Sequence, residues 1–188
     1  MVIIGVTGSI GSGKTKVSNL FRKYGFKVIN VDKFYTRIYK ENKSLRNKIK
    51  NEFGTANRAK LKKIVFKNPS KLKKLNKITH PIIINEVKKS INKIKKQNKN
   101  PKIIIDAPLL IEAKTTNLVD KIIVIKCDKK IQLKRVLKKK KYTKREINNI
   151  IKSQMPLNEK LKYADFIVDN SSLLIKTKKQ VEEIIKKI

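Results

Sequence analysis

A chain of 188 residues can bury one full hydrophobic core with a smaller subdomain inserted, and is too short for two large independent domains. Its single cysteine, Cys127, excludes an internal disulfide and a cysteine-based zinc site, and no apolar run approaches membrane-spanning length. The net charge of +35, from 49 Lys+Arg against 14 Asp+Glu, has the sign of a nucleic-acid footprint and has to be weighed against the motifs.

Apolar runs alternate with amphipathic stretches, the pattern of a parallel sheet covered by helices. VIIGV at 2–6 reads as a buried strand. Gly8 to Gly13 turn the chain, and Val17, Leu20, Phe21 and Tyr24 then recur at helical spacing until Gly25 stops the helix. FKVINV at 26–31 is a second strand, which delivers Asp32 at its end. From about 34 to 99 the pattern is helical throughout. It includes NRAKLKKIVF and a helix opened by His80-Pro81, with Ile83, Ile84, Val87, Ile91 and Ile94 near one face. KIIID at 102–106 and KIIVIKC at 121–127 are the third and fourth strands, and a helix follows over about 129–137. KKKKYTKRE at 138–146 is the longest charge run, read as a mobile surface segment or a solvated helix end. DFIVD at 165–169 makes a fifth strand, and the tail is a final amphipathic helix.

The eight residues GSIGSGKT, Gly8 to Thr15, follow a strand and open a helix. They match the phosphate-loop pattern, in which backbone N–H groups turn inward as an anion nest at a helix N-terminus. Lys14 then reaches the β- and γ-phosphates of a nucleotide and the Thr15 hydroxyl ligates Mg²⁺. Such a loop names the phosphate donor and leaves the acceptor open. Asp32, at the carboxyl edge of the sheet, fits a base that takes the proton of an acceptor hydroxyl, and equally fits a helix N-cap. Asp106 ends a buried strand as a carboxylate beside the metal does, with a structural cap for the residues from Leu109 onward as the alternative. Glu112 reaches the acceptor side or is solvated. His80, the only histidine, has no second His or Cys to share a metal, which leaves a substrate hydrogen bond or a local contact. Arg135 offers a planar fork for phosphate or a stacking surface for adenine, against the plainer reading of a surface salt bridge.

Only six of the 49 basic residues are arginines, the lysines are spread over nearly every predicted helix, and Ile and Asn are abundant as well. Drift at solvated positions under an AT-rich codon bias accounts for that pattern, so a positive field toward polyanions is expected rather than a specific nucleic-acid site.

Taken together, these residues resemble the dephospho-CoA kinase family, which phosphorylates the ribose 3′-hydroxyl of dephospho-CoA in the last step of coenzyme A synthesis. The resemblance runs nearly end to end: GSIGSGKT, VINVD at 28–32, NRAKLKKIVFKNP at 57–69, ITHPII at 78–83, DAPLLIE at 106–112, QLKR at 132–135, SQMP at 153–156 and ADFIVDNSS at 164–172 fall in the family's order. It implies ATP and Mg²⁺ as cofactors, with the nucleotide held by Gly11, Ser12, Gly13, Lys14, Thr15, Lys16 and Asn170. Lys14, Asp32 and Arg135 would be catalytic, Asp32, His80, Asp106, Leu109 and Glu112 would bind the acceptor, and Thr15 and Asp106 would hold the metal. The chain departs from the family at Asn30, where the family has the first Asp of a pair, and at Lys139 and Lys140, where the lid usually carries a second Arg followed by Asp. The connection at Gly54 to Asn57 is also shortened.

The resulting expectation is an α/β P-loop kinase with a five-stranded parallel sheet flanked by helices. Segments 1–32, 100–135 and 154–188 would form the nucleotide-binding core, 33–99 a helical acceptor-binding subdomain, and 136–153 a lid. Its partner would be a small-molecule substrate, with no specific nucleic acid and no membrane, in a cytoplasmic monomer or weak oligomer. A nucleoside-monophosphate kinase and a nucleic-acid-binding nucleotide switch are the rival readings. Against the switch, the chain has no base-stacking aromatic cluster and no Asn-Lys-x-Asp motif for GTP.

Overall fold

The structure is a computed structural model that describes residues 1–140 and 143–188. Lys141 and Tyr142, in the middle of the charge run and of the expected lid, lie outside the described residues. The chain forms two compact units, Met1–Asn30 with Ile91–Ile188, and Val31–Ser90.

The first unit is built on strands β1 (Val2–Thr7), β2 (Lys27–Asn30), β3 (Lys102–Asp106), β4 (Lys121–Lys126) and β5 (Phe166–Asp169). They pair in parallel in the order β2-β3-β1-β4-β5. The five predicted strands all form. Strand β1 is central, and the chain winds first to one side of it and then to the other, which makes its carboxyl end the switch point where open α/β sheets bind ligands. Alternation sorts the side chains: Ile4, Val6, Ile104, Ile123 and Ile125 face helices α1 (Lys14–Arg22) and α9 (Leu174–Lys186), packing on Val17, Leu20, Phe21, Val181 and Ile184 in a fully buried core. At Gly5 a Cβ would lie 2.4 Å from Leu110 Cδ2, so glycine lets the segment after β3 settle on the sheet. Helix α1 ends at Arg22, and Gly25 at φ +83° makes the turn into β2; Tyr24 is off the helix and half exposed.

Helices α6 (Lys129–Lys138), α7 (Lys144–Ser153) and α8 (Leu157–Leu161) follow β4. The charge run therefore supplies the end of α6 and the start of α7. It stops at Thr143, whose hydroxyl accepts from Glu146 N–H while the Glu146 carboxylate accepts from Thr143 N–H, a capping box that the lysine content masked.

The second unit holds α2 (Val31–Glu41), α3 (Lys43–Phe53), α4 (Arg58–Val65) and most of α5 (Pro69–Gln97). Its core is Ile38, Tyr39, Leu45, Ile49, Leu61, Val65 and Leu75. Two expectations are corrected in this region. Strand β2 stops at Asn30 and α2 begins at Val31, so Asp32 lies in the first turn of a helix, neither at a strand end nor at an N-cap. His80-Pro81 does not open a helix but lies inside α5, which begins at Pro69 behind Asn68, whose side chain accepts from Lys71 N–H. A proline there removes a ladder hydrogen bond at a cost of about 3 kcal/mol. Packing offsets that cost, because Leu75, Ile78, Ile82 and Ile83 on both sides of Pro81 join the unit's core.

Candidate active site

Glycine is required where β1 hands over to α1. Gly8, Gly11 and Gly13 have φ of +149°, +78° and +93°, and Gly13 serves as the α1 N-cap with no side chain over the helix end. The open N–H groups and the helix dipole there favour an anion. Lys14 Nζ donates to the Ser9 carbonyl at 3.2 Å, which holds the ammonium over the loop. Ser12 is buried and its Oγ has no hydrogen-bond partner among the described residues, whereas Thr15 and Lys16 are exposed.

The loop is braced from three directions. Asn170, just past β5, is 2% exposed; its Nδ2 donates to Ser12 O at 2.7 Å and its Oδ1 accepts from Thr177 Oγ1 at 3.1 Å. A Cβ on Gly13 would stand 2.0 Å from Asn170 Nδ2, so this close approach also needs glycine. Gln132 on α6 donates to Ile10 O, and Gln154, past the end of α7, accepts from Ile10 N–H at 3.1 Å. Arg135 donates to Asn170 O at 2.9 Å and to Cys127 Sγ at 3.3 Å. It is thus no surface salt-bridge partner but a cation beside the loop, and the Cys127 thiol it touches is pushed up by burial.

Asp106 is 2% exposed, in register between Val6 and Asn30. Its Oδ2 accepts from Thr15 Oγ1 at 2.8 Å and from Asn30 Nδ2 at 2.9 Å. Asn30 thereby acquires a function that its departure from the family pattern did not suggest: it supplies a hydrogen-bond donor where an aspartate would bring a second carboxylate. A hydroxyl and a carboxylate side by side form the kind of hard-oxygen pair that suits Mg²⁺, which takes one or two protein ligands and keeps waters and phosphate oxygens for the rest. The donor set therefore fits the ion.

Glu112 is neither solvated nor turned outward. Its carboxylate pairs with Lys160 at 2.9 Å and accepts from Met155 N–H at 3.0 Å, while Lys160, fully buried on α8, also donates to Pro108 O at 2.7 Å. Burial pulls the Lys160 ammonium below its ordinary range, and Glu112 opposes that pull. The pair ties the segment just after Asp106 to the chain leaving α7. Lys160, Gln132 and Gln154 went unseen in the sequence, where a single lysine among dozens and two isolated glutamines carry no local signal.

Leu109 is half-buried beside Pro108, and His80 is half-buried on α5. Asp32 is exposed on α2, and its main-chain carbonyl accepts from Thr36 Oγ1 at 2.9 Å. Among the described residues no group of three His, Cys, Asp or Glu could cage a metal by itself, and no helix is long and apolar enough to cross a membrane.

A parallel five-stranded sheet with a phosphate loop leaving its central strand, and a strand-end carboxylate on the loop's threonine, defines a P-loop kinase. Solved kinases of other substrates share the fold: shikimate kinase from Acinetobacter baumannii superposes with a TM-score of 0.57 at 11% identity over all of this chain and 92% of its own. The sequence model of dephospho-CoA kinase matches residues 2–176, and the chain belongs to that family. It is 37% identical over 193 residues to the dephospho-CoA kinase of Bacillus cereus, covering 98% of this chain and 96% of the relative. The Fusobacterium nucleatum dephospho-CoA kinase is 39% identical over 196 residues, covering 100% and 99%. The solved dephospho-CoA kinase from Campylobacter jejuni has a TM-score of 0.68 at 28% identity, over 98% of this chain and 96% of its own.

Proposed function

We propose that the protein transfers the γ-phosphoryl group of ATP to the ribose 3′-hydroxyl of dephospho-CoA, giving coenzyme A and ADP. The observation that carries the reading is the phosphate loop bonded through Thr15 to Asp106 in a chain matched by the family over residues 2–176. The loop N–H groups and Lys14 bind the donor phosphates and stabilise the charge that develops on the transferring group. Arg135, held by Asn170, lies against them from the α6 side. Thr15 and Asp106 would hold Mg²⁺, which when bound neutralises phosphate charge. Asp32 orients the acceptor hydroxyl and receives its proton.

His80 and Leu109 contribute to the acceptor site on the strength of the resemblance, and Glu112 does so by bracing the loop through Lys160 rather than by direct contact. The second unit is the acceptor-binding subdomain, and residues 136–153 are the lid. The partner is a small molecule and not a specific nucleic acid, in a cytoplasmic enzyme that is a monomer or weak oligomer.

An acceptor screen with MgATP tests the reading. Conversion of dephospho-CoA to coenzyme A is expected, with nucleoside monophosphates poor acceptors and no stimulation by RNA. Efficient phosphorylation of a nucleoside monophosphate, or RNA-dependent hydrolysis indifferent to dephospho-CoA, would overturn it.

A further inference from the structure

Three of the chain's six arginines lie in the second unit, and two of them are committed to structure. Arg37 pairs with Glu86 at 2.6 Å, and Arg46 donates to the main-chain carbonyls of Tyr39 and Lys40 at the end of α2. Arg58, the first residue of α4, has no carboxylate partner among the described residues. Its guanidinium lies over two rings, 5.3 Å from the Tyr35 centroid and 5.5 Å from that of Tyr39. Its hydrogen bond to Thr36 Oγ1 is long, at 3.4 Å. An arginine fork carries five N–H donors, so most of this one is unused.

The surroundings hold the fork in place without neutralising it. The two tyrosines meet edge to face at 5.8 Å, and Tyr39 Oη donates to Ala56 O at 2.6 Å, which fixes the segment leading into Arg58. Burial pushes the Tyr35 phenol up to about 12, so at neutral pH Arg58 faces a neutral ring there. The N–H groups of Ala59 and Lys60 are taken by the Asn57 cap, which leaves the guanidinium as the donor group at this end of α4. Lysine could not reproduce a planar fork stacked on two rings, which gives an arginine a physical reason to stand here in a chain otherwise rich in lysine.

Thr36, which Arg58 touches, is one turn along α2 from Asp32. An open groove of about 410 Å³ runs along this face of α2, lined by Asp32, Lys33, Thr36, Arg37, Lys40 and Glu41. A helical turn advances about 5.4 Å, of the order of the span across a ribose from its 3′-oxygen to its 5′-phosphate. We propose that Arg58 is a specificity-determining residue, whose fork grips the 5′-diphosphate of the acceptor while the ribose hydroxyl lies at Asp32. This inference rests on the reading of the chain as a dephospho-CoA kinase, and it says why a nucleotide-diphosphate ester would be preferred over an acceptor lacking that group.

The test is equilibrium binding to the full chain, without turnover, of dephospho-CoA and of a non-hydrolysable ATP analogue. The proteins compared are the wild type, Arg58→Gln and Arg58→Lys, with melting temperatures recorded for each. Arg58→Gln is expected to weaken dephospho-CoA at least about tenfold, the scale of a lost charge-assisted contact, and to leave the ATP analogue within about twofold. Arg58→Lys should recover part of the loss, because it restores charge without the fork. Unchanged dephospho-CoA binding in a folded Arg58→Gln protein would overturn the inference and leave the kinase reading standing. So would an equal loss for both ligands, or full recovery by lysine. A wild-type protein that binds no dephospho-CoA would instead remove the functional reading, and this inference with it.

Discussion

Asp32 sits where a carboxylate has two uses, since the first turn of a helix favours negative charge whether or not a substrate is present. The two can be separated because Thr36 bonds to the Asp32 main-chain carbonyl and not to its side chain, so Asp32→Asn leaves that contact intact. If Asp32 takes the acceptor's proton, the variant should lose at least about two orders of magnitude in kcat with little change in KM, the signature of a proton acceptor removed. Steady-state kinetics and a melting curve on the same preparation decide it, and a destabilised protein with unchanged kcat would leave Asp32 as a dipole partner only. Lys14, Thr15 and Asp106 were legible in the sequence because each belongs to a short linear pattern whose spacing is set by the phosphate it serves. Asn170 and Arg135 could be named only through the resemblance, and the structure adds what spacing could not: Asn170 bonds the loop at Ser12 and carries Arg135 on its own carbonyl.

At the scale of elements, alternation and run length found every strand, because a buried parallel strand has few ways to be written. The helices were harder wherever a local signal was outweighed by packing. Proline reads as a helix start, yet Pro81 lies inside α5 because the apolar residues flanking it are buried in one core. The contact between α8 and the segment after β3 was invisible, since Lys160 and Pro108 are separated by 52 residues. That contact makes its own prediction. Removing one partner of a buried pair leaves the other charge uncompensated, so Glu112→Gln and Lys160→Met should each lower unfolding stability by about 3–5 kcal/mol, while the double variant recovers part of that loss. Urea unfolding of the four proteins completes the cycle. Single variants within about 1 kcal/mol of wild type would show that Lys160 and Glu112 do not clamp the two segments together.

For the molecule as a whole the dominant feature is charge. With 49 basic against 14 acidic residues, one-to-one pairing leaves at least 35 cations without a carboxylate, and among the described residues Lys160 is the only buried lysine. The excess therefore lies in solvent, where it produces a long-range field without a shaped surface to read a sequence. Binding of duplex DNA or RNA should accordingly be indifferent to sequence and should fall by orders of magnitude between about 50 and 200 mM salt, because each neutralised phosphate adds a released counterion to the dependence. Conversion of dephospho-CoA should decline far less over the same range. Its affinity draws on a phosphate loop closed over by Asn170, Gln132 and Gln154 and on an arginine packed against two rings, contacts that salt screens less than exposed lysines. Filter binding and a coupled assay run at matched salt give the two curves. If they fell in parallel, the surface charge would be part of the acceptor site, and the lysines would have to be counted as functional rather than as drifted surface.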